Sequence, residues 1–169
     1  GCGITTAAAK QIMAAGKAKR TIRLLWAGAE EVGLWGGKAY GEAHKGDNHA
    51  LAMESDFGAD RIWRVEFNFP DSASSVATEI AQALQPLGIG RGQLKAGGGA
   101  DVQSIIANNN LAIIDLQQDG TRYFDIHHTP DDTLDKVDPE QLRQNVAAWT
   151  TVLSIIANSD ADLTMPAKQ

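Results

Sequence analysis

The sequence predicts an α/β protein, a three-layer α/β/α sandwich around a mixed, mostly parallel sheet. Three observations carry that expectation. Short apolar or β-branched runs ("TIRLLWAG", "HALAMESD", "LAIIDL") alternate with stretches of helical spacing. "LAIIDL" and the centre of "TIRLLWAG" are continuously apolar, as strands covered on both faces are. Finally, 169 residues at 43% hydrophobic are the size of one domain with a real core. No internal repeat, linker or low-complexity tract divides the chain, so residues 1–169 read as a single domain.

The elements follow in order. Ile4, Ala8, Ile12 and Met13 recur at helical spacing in an Ala-rich stretch that Gly16 ends. Residues 21–28 predict a central strand with Trp26 in the core, and 36–45 a short helix. Residues 49–56 predict a second buried strand ending in acid; 61–69 alternate, as a strand or an extended loop does. Asp71 or Ser72 is the expected cap of a helix running through Val76, Ile80 and Leu84 to Pro86-Leu87-Gly88. The glycine-rich stretch 94–102 leads into a short helix ending at "ANNN", with Asp101 as its expected cap. Residues 111–116 form the third predicted strand. The last helix is the clearest: Asp138 caps it, Pro139 opens its first turn, and Leu142, Val146, Trp149, Leu153 and Ile156 form one apolar stripe. The polar end "DADLTMPAKQ" reads as a fraying tail.

Composition narrows the function. A formal charge of −6 and a pI near 5.1 argue against nucleic acid as a partner. No apolar run approaches the ~20 residues that span a bilayer, so a membrane is not expected either. Cys2 is the lone cysteine, which leaves no intrachain disulfide. No charged and then apolar leader is visible. The opening "GCGITTAAAKQIM" runs directly into a helix without an initiator Met, as the middle of a longer protein would.

Acidic and imidazole groups fall after predicted strands or in long loops: Glu30-Glu31, Asp56, and His127-His128 with Asp131-Asp132. Sites in open α/β sheets form at the carboxyl ends of strands. Carboxylates with a histidine make a nitrogen/oxygen donor set suited to zinc, and a cation lets two adjacent acids stay ionised together. One Glu can then hold the ion while its neighbour accepts a proton. Singly, an acidic pair is a solvated loop, a strand-terminal Asp a turn and a His pair a packed pair. Their joint placement selects the metal reading.

"GITTAAA…RTIRLLWAGAEEVGLWGG", "MESDFG", "GGGADV" and "YFDIHHTPDDTLDKVDPEQL" resemble the co-catalytic zinc amino- and carboxypeptidases of the M28 peptidase family. Within it they are most similar to the plasma glutamate carboxypeptidase (carboxypeptidase Q) branch. The resemblance implies a zinc-dependent exopeptidase acting on peptides with two zinc ions. In it Glu30 is the general base that takes a proton from the bridging water and passes it to the leaving amine. Glu31 and His128 are ligands of one ion and Asp56 of the other. His127 stands where some relatives carry a tyrosine that donates to the oxyanion, and it either does the same work or simply packs. Asp132 either orients His128 or bonds its own loop.

The family's two further ligands, a His in an HxD motif and a bridging Asp before a glycine, have no counterpart in this chain. "GCGITTAAA" matches the residues after that Asp. The resemblance therefore implies a partial catalytic domain with three of five ligands, which alone binds zinc weakly and does not turn over peptide. It also implies a homodimer and a secreted or periplasmic enzyme. Two other readings stay open: a single-zinc glutaminyl cyclase-like enzyme, and a binding or structural domain that lost its metal centre. "AGGGAD" lacks the pattern of a phosphate loop and instead lets backbone pass close to the cleft. His44 and His49 read as solvated, Trp35 as lining the cleft or an interface, and "RIWRVEF" as a specificity or dimer segment.

Overall fold

The computed structural model describes residues 1–167. Its helices are α1 (Cys2–Ala15), α2 (Trp35–Ala43), α3 (Ser74–Leu84), α4 (Gln103–Asn109), α5 (Tyr123–Ile126) and α6 (Pro139–Asn158). Its strands are β1 (Leu51–Ala52), β2 (Ile62–Asn68), β3 (Gly90–Lys95) and β4 (Ala112–Gln118). They form one sheet in the order β1-β4-β2-β3. β1 runs parallel to β4 and β2 parallel to β3, while β2 and β4 are antiparallel. The sheet is thus mixed, with parallel pairs in the majority, as expected.

Helices cover both faces. On one, Ile4 and Ala8 of α1, Val76, Ile80 and Leu84 of α3, and Trp149, Val152 and Ile156 of α6 pack on the sheet. They meet Ile62 and Val65 of β2 and the alternate residues Ala112, Ile114 and Leu116 of β4. On the other face a smaller cluster joins Ala52, Val102, Ile105 and Leu111 to Tyr40 and Ile106. β4 has a neighbour on each side, which is why its sequence is apolar almost throughout.

Helix α6 opens as predicted: the Asp138 carboxylate accepts the N–H groups of Glu140 at 2.8 Å and Gln141 at 3.4 Å. Its inner face also carries amides that hydrophobic patterning does not foresee. Gln144 accepts from the Ile62 N–H at 2.9 Å and donates to the Ile62 carbonyl at 2.6 Å, as a neighbouring strand would. Asn145, 0% exposed, donates to the Asp60 carbonyl at 2.9 Å and accepts from Gln118 at 2.8 Å.

Several expectations are corrected. Residues 21–28 form no strand. Trp26 is 64% exposed rather than in the core, and no ladder bond reaches the segment among the described residues. A groove of about 1000 Å³, lined by Ile22, Leu25, Leu51, Met53 and Leu153, borders both this segment and β1. β1 is correspondingly shorter than the predicted 49–56 strand. β3 carries no strand signal in the sequence because it is an exposed edge, "GRGQLK", with Arg91 and Lys95 of the kind that blunts edges. Neither Asp71 nor Ser72 caps α3; they lie in a 3-10 turn before it, and the Ser72 hydroxyl donates to the Asp162 carbonyl. The tail does not fray over 160–167: Leu163 enters the main core, and the Pro166 carbonyl accepts from Asn110 at 2.8 Å. Lys168 and Gln169 lie outside the described residues.

Candidate metal centre

Because β1 and β4 are parallel, their carboxyl ends meet at one edge of the sheet. β1 runs out into Glu54-Ser55-Asp56, and β4 runs out through α5 into His127-His128. The Glu30-Glu31 turn, which follows residues 21–28, borders the same groove as Asp56. That turn is closed by donation from Gly33 and Leu34 to the Glu30 carbonyl, at 3.0 and 2.9 Å, and by Gly36 donating to the Gly28 carbonyl at 2.9 Å. Gly36 is required there, since a Cβ at this position would lie 2.5 Å from the Gly28 nitrogen.

The structure brings Glu31 and His128 together across 97 positions of sequence, with Oε1 and Nε2 2.6 Å apart. Glu31, His127 and His128 each offer a ligand atom within 4.8 Å of the others. The two imidazoles are nevertheless stacked, with centroids 3.7 Å apart and planes inclined by only 20°. Ring lone pairs lie in the ring plane, so two nearly parallel planes do not converge on one ion ~2 Å from each nitrogen. Of the pair, His128 is the one aimed at Glu31. Zinc fits these donors: they are carboxylate and imidazole, and both side chains are more than half exposed and free to open around an ion.

Asp56 stands outside that tight group but borders the same groove as Glu30 and Glu31. Burial, reinforced by the charges of Glu31, Asp56 and Asp101, pushes the Glu30 carboxyl above the usual range, while His128 opposes the shift. Asp132 spends its N–H on the Thr129 carbonyl at 3.1 Å, and among the described residues its carboxylate makes no hydrogen bond to His128.

Two further acids join the site. Glu54 accepts the Val102 N–H at 3.1 Å, leaving its Oε1 buried with no hydrogen-bond partner, as is Oδ1 of Asp101. Burial raises both carboxyls, with Asp101 and Asp56 adding to the shift at Glu54 and Asp56 to that at Asp101. Asp101 is not the cap of α4, whose N-cap is Val102 with no side-chain bond. Its backbone is tied up instead: a Cβ on Gly37 would stand 2.3 Å from the Asp101 carbonyl oxygen. The signal for Glu54 is its spacing of two from Asp56, which turns both side chains the same way in an extended segment. The glycine-rich loop does bring backbone close: a Cβ on Gly99 would meet the Glu54 carboxylate at 2.0 Å. His44 and His49 belong to a separate polar cluster. Arg23 contacts Tyr40, His44 and Asp47, and the Tyr40 hydroxyl lies 2.8 Å from Nε2 of His49. They are bonded rather than merely solvated.

Comparison with known proteins agrees with this architecture. The model of Peptidase family M28 matches residues 1–153. Carboxypeptidase Q of Bos taurus is 35% identical over 142 residues, covering 83% of this chain and 30% of that protein. The Homo sapiens carboxypeptidase Q is 33% identical over 144 residues, covering 84% and 30%. The chain therefore spans less than a third of the length of these relatives. A crystal structure of a Peptidase M28 precursor from Shewanella amazonensis SB2B superposes with a TM-score of 0.92 at 44% identity, over 99% of this chain and 39% of that one. With the motif order, the sheet and these likenesses in agreement, the chain belongs to peptidase family M28.

Proposed function

We propose that the chain carries part of the catalytic centre of a zinc-dependent exopeptidase that cleaves the bond next to a free terminus of short peptides. The observation that supports this most is the 2.6 Å approach of Glu31 to His128, with Glu30 next to Glu31 in the same turn. In this reading Glu31 and His128 hold one ion and Asp56 the other. Zinc, when bound, activates water and polarises the scissile carbonyl. Glu30 receives the proton given up by that water and delivers it to the leaving amine. Desolvation and the neighbouring acids raise its carboxyl above the ordinary glutamate value, so it holds a proton more readily than a free glutamate does. His127, stacked beside His128, presents an imidazole N–H to the developing oxyanion. The remaining ligands come from polypeptide outside these residues, so the isolated chain binds zinc weakly and does not hydrolyse peptide. The groove supports that part, since it borders residues 21–28, which have no ladder partner among the described residues, and β1, which is paired on its β4 side only.

The test is zinc stoichiometry together with Glu30→Gln in a protein that includes the preceding segment. Two ions, retained metal and lost turnover are expected. One ion would favour the glutaminyl cyclase reading, and none the structural one. Strong peptide hydrolysis by the isolated 169-residue chain, free of contaminating peptidase, would refute the division of the site.

A further inference from the structure

We infer that Phe57, Tyr123 and His127 form an aromatic column that positions His128 toward Glu31, so that metal affinity depends on residues that touch no metal. This inference rests on the metal reading of Glu31 and His128. Phe57 and Tyr123 stack with centroids 4.0 Å apart and planes at 23°. Tyr123 and His127 stack at 4.5 Å and 27°, and His127 and His128 at 3.7 Å and 20°. Four rings thus lie face over face in one continuous pile, with His128 at the end.

Local structure explains the pile. Tyr123 and His127 are four apart on one helical turn, closed by the His127 N–H donating to the Tyr123 carbonyl at 2.8 Å, so their rings share a face. Two glycines leave room for the far end. A Cβ on Gly120 would lie 2.5 Å from the Phe57 ring, and Gly58, at φ +77°, already sits against Tyr123. His128 itself has φ +59°, a left-handed conformation costly for any residue with a Cβ. That φ belongs to a tight turn, in which His127 has φ −53° and ψ 127° and the Thr129 N–H donates to the Ile126 carbonyl at 3.0 Å. The turn fixes the backbone, and the three rings stacked behind His128 hold its imidazole. Phe57 also follows Asp56 directly in sequence. The column therefore runs from the neighbour of one proposed metal ligand to the imidazole of the other, and it fixes the two halves of the site relative to each other.

The consequence is measurable on the chain by direct zinc titration in the weak-binding range, followed by calorimetry, with histidine ring-proton NMR as an independent readout of stacking. Tyr123→Ala should weaken zinc binding about tenfold, the size of effect seen when groups that orient ligands are removed. It should also move the His128 ring protons out of the shielding of the pile. Tyr123→Phe, which keeps the ring and loses only the hydroxyl, should restore both. In a His128→Ala background, Tyr123→Ala should change zinc affinity by less than twofold, because the ligand through which the column acts is gone. Unchanged zinc affinity in Tyr123→Ala would overturn the inference, as would a tenfold loss that persists without His128. If His128→Ala alone leaves zinc affinity unaltered, the metal reading fails and the inference falls with it.

Discussion

Replacing Gly36 by alanine should damage the site without touching an ionisable group. The added Cβ would stand 2.5 Å from the Gly28 nitrogen, 2.8 Å from its carbonyl oxygen and 3.0 Å from the Ala27 Cα. Ordinary contact begins near 3.4 Å, so one backbone has to retreat by roughly 1 Å, against the 2.9 Å hydrogen bond that draws the two together. Helix α2 is poorly placed to yield, because Gly37 packs on the Asp101 backbone and Gly41 on Ser104. The turn bearing Glu30 and Glu31, two and three residues past Gly28, therefore moves. A misplacement of ~1 Å at a reacting group costs about a hundredfold in rate. At Glu31 it separates the carboxylate from His128, and zinc affinity should fall by about tenfold. Stability should change less: overpacking costs ~1–3 kcal/mol, and the gain in helix propensity returns up to ~1 kcal/mol. Zinc titration and urea unfolding on the same protein separate the two effects. Gly3→Ala is the control, since its Cβ meets nothing within 4 Å. Zinc affinity within twofold of the parent in a folded Gly36→Ala protein would refute the reasoning.

Asn145→Ala removes a fully buried amide and strands the Asp60 carbonyl and one Gln118 donor. At ~1–3 kcal/mol for each of the two buried partners left unpaired, the loss should be about 2–6 kcal/mol, read as a lower urea midpoint at unchanged m-value. Leu163→Ala should cost ~2–4 kcal/mol in the same assay, because Leu163 is 4% exposed in the main core; a change under ~0.5 kcal/mol would mean the tail is not docked. Glu54 has its folded pKa raised, so its contribution to stability is complete below the ordinary glutamate value and lost as pH rises through the higher folded value. Glu54→Gln should accordingly be more stable than the parent at pH 7 and show a flatter rise-to-neutral profile, with equal stability at acid pH; urea unfolding across that range, without added metal, checks the sign.

The parts legible in the sequence are those where one residue type answers to one local cause. Asp138 before Pro139 announces α6 because a cap and a first-turn proline act within four residues. The acids of the site are legible for a similar reason, since they end apolar runs and sheet topology gathers such ends. What stayed hidden depends on partners far away in sequence. Gln144 and Asn145 look like surface residues until Ile62 and Asp60 are placed against them. Glu54 looks like one more strand-end acid until Val102 and Asp101 bury it.

Residues 21–28 fail in the opposite direction. Their pattern reads as a buried strand, yet the segment has no ladder partner among the described residues and leaves Trp26 exposed. Strand character in a sequence records packing and burial as much as backbone preference, and here neither surrounds the segment, which borders an open groove. At the His pair the sequence sets two imidazoles side by side and the family resemblance gives them different work; the stacking geometry adds a physical reason for separating them. Nearly parallel rings cannot converge on one ion, so one histidine reaches Glu31 and the other supports it. Of the two, only His128 has a left-handed φ, so the backbone itself sets the positions apart. His127 is thus bound to the pile by Tyr123 on one side and by its neighbour on the other, and the site depends on Tyr123, a ring that offers zinc no imidazole or carboxylate.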